Sequence, residues 1–451
     1  MAHRGLKIAL VFEIFHPVVN GIITSGQNLA ENLRALGHEV IFLVPDTGEF
    51  REPTLGGVAV YRIPSLPCRS YPGMRYVLPW NRAVGEILTR EGVQVLHITG
   101  PWFLTMAAVR AARNRGIPVV HTFHTMVHEA DYLLYMVRFR RLVPLVRRLG
   151  WRFYGWYIAR CAAHTAPSAL ACRVLTRQFP CSRPRQISNG VDTALFRREA
   201  PSLEELRRRY PWFTDRTVLF VGRLGREKSL DVLIRAAAIL RGRPGLERFR
   251  LALVGDGPSR DSYRGLVRSL NLEGCVHFPG YLPHGDLLAS GLLHRARVFA
   301  TASTTENQPM TVIEAICCGV PVVVPDVAGI RELVGENGLG VAPGDPRAFA
   351  EALEALCTGD DLHRGASRAA LAMARRFDGA AVARQMLDLY QEVLRRESGR
   401  APKRCRAPRG RLALGGRLAL RGRLAPERSG RYTFRYDEKN DDKSDDRSCN
   451  F

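Results

Sequence analysis

The sequence predicts an α/β protein built from two Rossmann-like, parallel-sheet domains that face a central cleft. Short apolar runs typical of buried strands alternate with amphipathic stretches typical of helices, which indicates βαβ units and therefore parallel sheets. The alternation stops in a turn-like stretch at residues 188–196 (SNGVDTALF) and then starts again. A chain of 451 residues is long enough for two such domains, and we place their boundary near residue 198.

The first block of alternating elements covers residues 1–197 and forms the N-terminal domain. Gly37 ends its first helix, as glycine commonly does at a helix C-terminus. The predicted elements are, in order, strand 7–12 (KIALVF), helix 24–36, strand 39–45 (EVIFLVP), strand 94–98 and strand 117–121.

The second block covers residues 198–378 and forms the C-terminal domain. A helix over residues 379–397 then closes the folded part of the chain, and we expect it to join the N-terminal domain. The predicted elements of the second block are, in order, strand 217–221 (TVLFV), a helix from Ser229, strand 249–254 (FRLALV), strand 297–301 and strand 321–324 (PVVV).

Residues 399–451 have a different composition. They contain a six-residue repeat (GRLALG, GRLALR, GRLAPE) and then an acidic run that includes Asp441, Asp442, Asp445 and Asp446. Such a segment has too few large apolar side chains to offset the entropy lost on ordering. We therefore expect a disordered tail that is first basic and then acidic.

The positive charge is concentrated in two segments. The chain has 66 Lys and Arg against 43 Asp and Glu, a net charge of +23. Residues 132–191 have eleven arginines and no acidic residue, and residues 400–435 have twelve basic residues and one acidic residue. The remaining chain is nearly neutral. A local excess of this kind favours an anionic partner such as a membrane surface, a nucleic acid or a phosphorylated substrate.

The cysteine pattern and the lengths of the apolar segments argue against several classes of protein. Ten cysteines without a C-x-x-C motif argue against a disulfide scaffold and a structural zinc site. The apolar run near the N-terminus is too short for a signal peptide, and no segment approaches the roughly 18 apolar residues that span a bilayer. We expect a cytoplasmic protein that contacts a membrane face, while its oligomeric state stays open.

The strongest motif is TTENQPMTVIEAICCGVPVVVPD at residues 304–326. It predicts a strand, a loop with Glu306, and a helix that starts near Pro309 and contains Glu314. The amides at a helix N-terminus form an anion site. Glu314 lies about one turn inside, where a carboxylate can bind two ribose hydroxyls. Glu306 can reach sugar hydroxyls beyond the phosphates, so a nucleoside diphosphate sugar fits this layout.

Three further motifs follow predicted strands. Arg223 and Lys228 lie between a strand and a helix, where both cations can contact a pyrophosphate. Gly21 lies in the first βα loop and permits close approach of the backbone to a phosphate or sugar. His124 belongs to HTFHTM at the end of a strand. Its alternative role is that of a hydrogen-bonding residue of the core.

The sequence resembles the retaining glycosyltransferases of family four, which have the GT-B fold, over roughly residues 5–395. Five motifs carry the resemblance: the E-x7-E pair Glu306 and Glu314, the cations Arg223 and Lys228, the early Asn20-Gly21, the FHT motif at His124 and the stretch SNGVDTALF. Within the family, PVVNGIITS, YPGMRYVLP with Arg75, and TENQPMTVIEA look most like enzymes that glycosylate lipids. These include diacylglycerol glucosyltransferases and phosphatidylinositol mannosyltransferases.

The resemblance implies a role for each matching residue. Glu306 would hold the donor sugar and Glu314 the donor ribose, while Arg223 and Lys228 would stabilise the leaving diphosphate. His124 would lie at the reacting sugar and the acceptor, and Gly21 would face the donor phosphate. Asn307 and Gln308 belong to the same donor-binding loop, but they replace the glycine and phenylalanine that are common in the family. The choice of sugar therefore cannot be transferred from relatives.

The resemblance also implies a reaction without a metal or other cofactor. The diphosphate would leave on the face from which the acceptor attacks, which retains the anomeric configuration. The donor would be UDP-glucose or GDP-mannose, and the acceptor a hydroxyl of a lipid or lipid-linked glycan. The folded region has no Asp-x-Asp metal motif, which agrees with this expectation.

An arginine-rich stretch of the N-terminal domain has interleaved aromatic residues, a composition that suits an anionic bilayer interface. Its alternative is a core helix with solvated arginines. The candidate acceptor or membrane residues are Arg75, Arg138, Arg141, Arg147, Arg148, Trp151, Arg152 and Trp156.

Two other functions stay open at this stage. A nucleotide-sugar epimerase or hydrolase with the same architecture would consume the donor without an acceptor. A protein that binds RNA or another anionic polymer through the basic tail would also explain the charge, although we expect no specific nucleic acid partner. The stretch VGDGPSR at residues 254–260 matches part of a dinucleotide fingerprint, but Arg260 stands where its third glycine belongs.

Overall fold

A computed structural model of the protein describes residues 5–16, 20–68, 75–124, 143–197 and 199–398. The predicted tail lies outside these residues, and so do Arg138 and Arg141 with the membrane role predicted for them. The strands are β1 Lys7–Val11, β2 Glu39–Pro45, β3 Thr54–Leu55, β4 Val58–Ile63, β5 Leu66–Pro67, β6 Arg75–Tyr76, β7 Val95–Ile98, β8 Val119–Thr122, β9 Ala163–Ala166, β10 Arg185–Gln186, β11 Arg216–Val221, β12 Phe249–Val254, β13 Val276–Gly280, β14 Val298–Ala300, β15 Val322–Pro325 and β16 Gly338–Val341.

Helices follow most of these strands. They are α1 Gly21–Ala35, α2 Arg82–Arg90, α3 Phe103–Arg113, α4 Val143–Ile158, α5 Ala169–Gln178, α6 Leu203–Arg209, α7 Leu230–Leu240, α8 Arg260–Ser269, α9 His284–Ser290, α10 Leu292–Arg295, α11 Met310–Cys317, α12 Ala328–Arg331, α13 Pro346–Thr358, α14 Asp360–Ala374 and α15 Gly379–Ser398. Short 3₁₀ turns occur at Pro180–Ser182, Leu195–Arg197, Arg226–Lys228 and Arg375–Phe377. Among the described residues, no helix is both long and apolar enough to cross a membrane.

Within the described residues, the first sheet has eight strands in the order β10-β9-β8-β7-β1-β2-β4-β3, and every pair is parallel except β3 with β4. Helices α1 and α15 pack on one face, and α2 and α3 pack on the other. The central strands are buried on both faces, which explains their continuous apolar runs.

The second sheet, as far as the structure describes the chain, has six parallel strands in the order β13-β12-β11-β14-β15-β16. Helices α7, α8 and α13 cover one face, and α9, α11 and α14 cover the other. The two doubly covered parallel sheets confirm the predicted pair of Rossmann-like domains. Loops that follow the parallel strands gather at one edge of each sheet, where ligands bind in such folds.

The chain crosses between the domains twice. At the crossings the Val191 amide donates to the Phe377 carbonyl, and the Gly379 amide donates to the Val191 carbonyl, each at 2.9 Å. Helix α15 then returns to the first sheet, where Tyr390 Oη lies 2.6 Å from His97 Nδ1. The first domain is thus completed by the last described helix of the chain.

Helix α1 begins three residues earlier than the sequence pattern predicts. Asn20 Oδ1 accepts hydrogen bonds from the amides of Ile22 and Ile23, each at 3.0 Å, so Asn20 is the N-cap. Gly21 is therefore the first residue of the helix and does not lie in the preceding loop. Gly37 follows the helix with a φ of 85°, a conformation that glycine adopts without strain.

Candidate active site

Two loops of the second domain meet at the carboxyl edge of its sheet. Lys228 ends the turn after β11, and its Nζ forms an ion pair with Oε1 of Glu306, which lies on the loop after β14. Ser303 Oγ donates to the Glu227 carbonyl at 3.3 Å and ties the two loops together. The side chains of Lys228 and Glu306 are 23% and 18% exposed, so a ligand can still reach both.

The starts of α1 and α11 face each other across the cleft. A Cβ atom on Gly21 would lie only 3.1 Å from Met310 Cγ, so a larger residue at position 21 would press on α11. Pro309 precedes α11 and provides no side-chain cap for its first amides. Two helix N-termini therefore converge at one point, and their partial positive charge favours an anion there.

Glu314 is buried near the middle of α11. Its Oε1 lies 3.1 Å from Nε2 of His284, the first residue of α9. The hydrogen bond to Glu314 raises the pKa of His284 despite the partial burial of the ring. Sequence reasoning missed His284, although the LPHGDL stretch follows strand β13 and so had to reach the same sheet edge.

Arg223 lies two residues after β11 and is exposed, without an ion pair among the residues that the structure describes. The loop that carries it packs against the loop after β12. A Cβ atom on Gly255 would lie 1.9 Å from the Gly222 carbonyl oxygen. This contact accounts for a glycine of VGDGPSR through packing of two backbones, and it calls for no dinucleotide.

The side chains of Asn307 and Gln308 contact the first domain. Asn307 Nδ2 donates to the carbonyls of Phe123 at 3.2 Å and His124 at 3.1 Å, and Asn307 Oδ1 accepts from Ser168 Oγ at 2.6 Å. Both residues were assigned from the sequence to the donor-binding loop. Their amide groups are instead engaged across the cleft, and this was not visible in the sequence.

Gln308 makes equivalent contacts one residue further along. Its Oε1 accepts from the Asn189 amide at 2.7 Å, and its Nε2 donates to Ser188 Oγ at 2.8 Å. Nearby, the Glu332 carboxylate accepts from the amides of Ala169 and Leu170 at 2.8 and 2.9 Å. These amides are the first of helix α5, so a carboxylate of the second domain caps a helix of the first domain.

His124 follows β8 and lines a cavity of about 30 Å³ beside Ser25, Thr99 and Asn189. Burial lowers the pKa of His124 to about 4, so its imidazole is neutral near pH 7. A neutral ring can donate one hydrogen bond and accept another. The structure therefore places His124 at the edge of the cleft, with its carbonyl bonded to the loop that carries Glu306.

The neighbouring histidines belong to the core. His121 Nε2 lies 2.9 Å from Tyr154 Oη, and His97 Nε2 lies 2.7 Å from Thr122 Oγ1. Burial lowers the pKa of both rings. Within the described ranges, no group of three or more His, Cys, Asp or Glu side chains is arranged to hold a metal ion.

Helix α4 exposes arginines and leucines on its outer side. Arg147, Arg148 and Arg152 are exposed and form no ion pair with any described residue. Leu145 and Leu149 are 54% and 55% exposed, one turn apart. Among the described side chains of α4, these two leucines are the large apolar ones that are exposed.

The tryptophans of α4 pack against side chains of the first domain. Trp151 packs against Phe123 and Phe179, and Trp156 lies under the guanidinium of Arg160, whose Cζ is 4.2 Å from the ring. Aromatic rings are large apolar surfaces, and here they cover the core of the first domain. Both rings are half-buried in this packing, and their role at a membrane surface stays a prediction.

Arg75 also has a structural partner. Its guanidinium donates to Ser65 Oγ at 2.7 Å and to the Ser65 carbonyl at 3.1 Å, which closes the short sheet of β5 and β6. Sequence reasoning missed the exposed apolar residues around it. Leu66 is 65% exposed, Leu78 53% and Trp80 71%, and the stretch YPGMRYVLPW contained the signal.

Comparisons with known proteins agree with this geometry. Residues 19–195 match the family described as Glycosyltransferase Family 4, and residues 215–359 match Glycosyl transferases group 1. The chain is 31% identical to a GDP-mannose-dependent alpha-mannosyltransferase of Mycobacterium tuberculosis, over 75% of this chain and 83% of the relative. It is 26% identical to the alpha-monoglucosyldiacylglycerol synthase of Acholeplasma laidlawii, over 74% and 84%.

Solved structures show the same fold. A glycosyltransferase from Rickettsia africae has a TM-score of 0.68 at 18% identity and covers 87% of this chain and 99% of its own. A sucrose-phosphate synthase from Thermosynechococcus elongatus has a TM-score of 0.68 at 21% identity and covers 87% and 100%. Two parallel-sheet domains, the motifs at their facing edges and the family matches lead to one conclusion: the chain belongs to glycosyltransferase family four, has the GT-B fold and is a hexosyltransferase.

Proposed function

We propose that this protein transfers glucose or mannose from UDP-glucose or GDP-mannose to a hydroxyl of a membrane lipid or lipid-linked glycan, with retention of the anomeric configuration. The observation that carries the donor part is the Lys228–Glu306 ion pair opposite the starts of α1 and α11. A nucleotide sugar separates this pair. Its diphosphate binds Lys228, and its sugar hydroxyls donate hydrogen bonds to the Glu306 carboxylate.

The leaving group determines the chemistry. Lys228, Arg223 and the first amides of α11 neutralise the negative charge that develops on the diphosphate as the glycosidic bond breaks. The acceptor oxygen attacks from the same face, and its proton passes to the departing phosphate oxygen. In this proposal the cations of the protein supply the electrostatic stabilisation, and turnover needs no divalent ion. Unchanged activity in EDTA is the expected result.

Glu314 and His124 orient the substrates. Glu314 binds the ribose hydroxyls of the donor, and His284 holds the carboxylate in place through the bond that raises its own pKa. His124 lies at the edge of the cleft with a neutral imidazole, where it donates a hydrogen bond to the sugar or the acceptor. Positioning of this kind converts a bimolecular reaction into a step between preassembled groups.

The lipid acceptor is supported by relatives and by α4. Two relatives, from Acholeplasma laidlawii and Streptococcus pneumoniae, are named alpha-monoglucosyldiacylglycerol synthase. Arginines with exposed leucines suit the surface of an anionic bilayer. We therefore propose a peripheral position on the cytoplasmic face of the cell membrane.

The direct test is transfer from labelled donors. Purified protein is incubated with labelled UDP-glucose or GDP-mannose and with vesicles of phosphatidylglycerol that contain diacylglycerol or phosphatidylinositol. We expect a labelled glycolipid with one donor and one acceptor. Free sugar without glycolipid would indicate a donor hydrolase or an epimerase, and labelled product only from a soluble acceptor would overturn the lipid part.

A further inference from the structure

One loop of the second domain faces both sides of the cleft. Glu306 points to Lys228 within its own domain, whereas Asn307 and Gln308 are bonded to the first domain. We propose that Asn307 and Gln308 are positioning residues that fix the Glu306 loop to the first domain, so that Glu306 meets the donor sugar correctly only while the cleft is closed. This inference rests on the proposed role of Glu306.

The hydrogen bonds of Asn307 connect the Glu306 loop directly to the segment of the first domain that carries His124. Its Nδ2 group reaches the carbonyls of Phe123 and His124, while its Oδ1 accepts from Ser168 Oγ. Hydrogen bonds weaken steeply when the donor and acceptor move apart or tilt. The three bonds therefore fix the distance between the backbone of His124 and that of Glu306, one residue away from Asn307.

The bonds of Gln308 add a second fixed point. Its amide group reaches Ser188 and Asn189, which lie just before the first crossing between the domains. With partners on two separate segments of the first domain, the loop can neither slide nor rotate in the closed cleft. A single attachment would leave it free to pivot.

Glu332 contributes to closure without touching the loop. Its carboxylate caps helix α5 across the cleft, and the capped helix has Ser168 as its own N-cap, since Ser168 Oγ accepts from the Ala171 amide at 3.1 Å. Ser168 Oγ thus accepts a hydrogen bond from the start of α5 and donates one to Asn307. When the cleft opens, water replaces all these partners, so the net cost of opening stays small.

The arrangement predicts a specific kinetic signature. Lys228, Arg223 and Glu314 all belong to the second domain, so an open cleft can still bind the nucleotide. Loss of the amides of Asn307 and Gln308 therefore lowers kcat through misplacement of Glu306, while KM for the donor changes little. If the two amides merely fill the interface, their removal lowers thermal stability without this split.

The test compares Asn307→Ala/Gln308→Ala with wild type. Each substitution removes hydrogen bonds whose net contributions are modest, so we expect kcat to fall roughly tenfold or more, with KM for the nucleotide sugar within about threefold. The variant should also hydrolyse a larger fraction of the donor, because a loosely held sugar no longer waits for the acceptor. Small-angle scattering should show a larger radius of gyration.

A matched control changes the same loop. Thr304 and Thr305 are exposed and make no side-chain hydrogen bond within the described residues, so Thr304→Ala/Thr305→Ala should keep wild-type kcat and scattering. Should the double variant fail to fold, Ser188→Ala removes a partner of Gln308 and leaves the loop intact. A milder fall in kcat at constant KM is expected there.

Glu306→Ala, measured in parallel, separates the two assignments. Full turnover by Glu306→Ala would overturn the role of Glu306 itself. An inactive Glu306→Ala beside a double variant with unchanged kcat, or with a change in KM alone, would overturn the positioning role of Asn307 and Gln308 while the donor site stands.

Discussion

Two acidic side chains of the cleft each have a basic partner, whereas the arginines of α4 have no acidic partner among the described residues. Lys228 pairs with Glu306, and His284 is bonded to Glu314. Arg147, Arg148 and Arg152 lie on an exposed face. The two regions therefore handle anionic partners in different ways.

The difference concerns specificity. In our proposal, a ligand of the cleft takes the place of an existing side-chain partner, so it must present a negative group to Lys228 and a neutral polar group to Glu306. The α4 face attracts any anionic surface at a distance, and salt screens that attraction. Variants in the cleft should therefore change catalysis at every salt concentration, and variants on α4 should change binding in a salt-dependent way.

The largest effect is expected from the cleft ion pair. Lys228→Ala removes the cation that we propose at the leaving diphosphate, and Glu306→Ala removes the proposed ligand of the sugar. Loss of one preorganised electrostatic group typically costs about 10²–10³-fold in kcat. We expect a decrease of that order for each variant in steady-state transfer assays, with near-native circular dichroism.

The neighbouring Arg226 provides the matched control for Lys228. It lies exposed on the same 3₁₀ turn and forms no ion pair among the described residues. Arg226→Ala should retain activity within about twofold, since exposed charges outside the site contribute little. An equal loss in both variants would show that the turn responds to charge in general.

The next effect is expected on α4. Replacement of Arg147, Arg148 and Arg152 by Gln removes three positive charges, each worth about 1 kcal/mol near an anionic bilayer. We expect sedimentation with phosphatidylglycerol vesicles to weaken by tenfold or more at low salt. The difference from wild type should shrink as the salt concentration rises towards about 1 M, because salt screens the charges and the Debye length there is only about 3 Å.

A control with the same change in charge tests whether the position matters. It uses exposed arginines of the second domain, and the substitutions are Arg235→Gln, Arg268→Gln and Arg347→Gln. These should leave vesicle binding near wild type at every salt concentration. If both triple variants bind equally weakly, net charge and not the α4 face attracts the membrane.

A smaller effect is expected where a paired charge is buried. Glu314→Gln removes the carboxylate that we assign to the donor ribose, and it leaves His284 without its charged partner. KM for the nucleotide sugar should rise roughly tenfold while kcat falls less, because the contact acts on substrate and transition state alike. A pure loss of kcat would contradict the assignment to ribose.

The sequence predicted those parts of the candidate site that depend on the parallel sheet, because the sheet brings the loops after its strands together. Glu306, Lys228 and Glu314 follow strands with continuous apolar runs, and the carboxyl ends of such strands share one edge. The partners of Asn307 and His284 could not be predicted. They depend on how the domains meet and on packing between distant loops, and no local pattern encodes either. The sequence likewise left open whether the α4 aromatic residues face a membrane or the core, since composition does not tell which face of a helix is covered.

Glu13 offers the last test, because it is a buried carboxylate without a cationic partner among the described residues. It lies beneath the start of α3, where its oxygens accept from the amides of Leu104 at 3.2 Å and Thr105 at 2.7 Å. Burial raises its pKa to about 7, although these hydrogen bonds oppose the shift. Folding therefore binds a proton at Glu13 between about pH 4.5 and 7.

Stability should consequently fall as the pH rises through this interval, by up to ~3 kcal/mol from Glu13 alone. His97 and His164 act in the opposite direction, because burial lowers their pKa values to about 3 and about 4 and stability falls when the unfolded chain gains protons below pH 6.5. The two trends partly cancel in wild type. Glu13→Gln removes only the first, so urea unfolding at pH 5 and pH 8 should show the variant gaining stability relative to wild type as the pH rises. Parallel curves would mean that Glu13 is already ionised at pH 5 and that the α3 amides outweigh its burial.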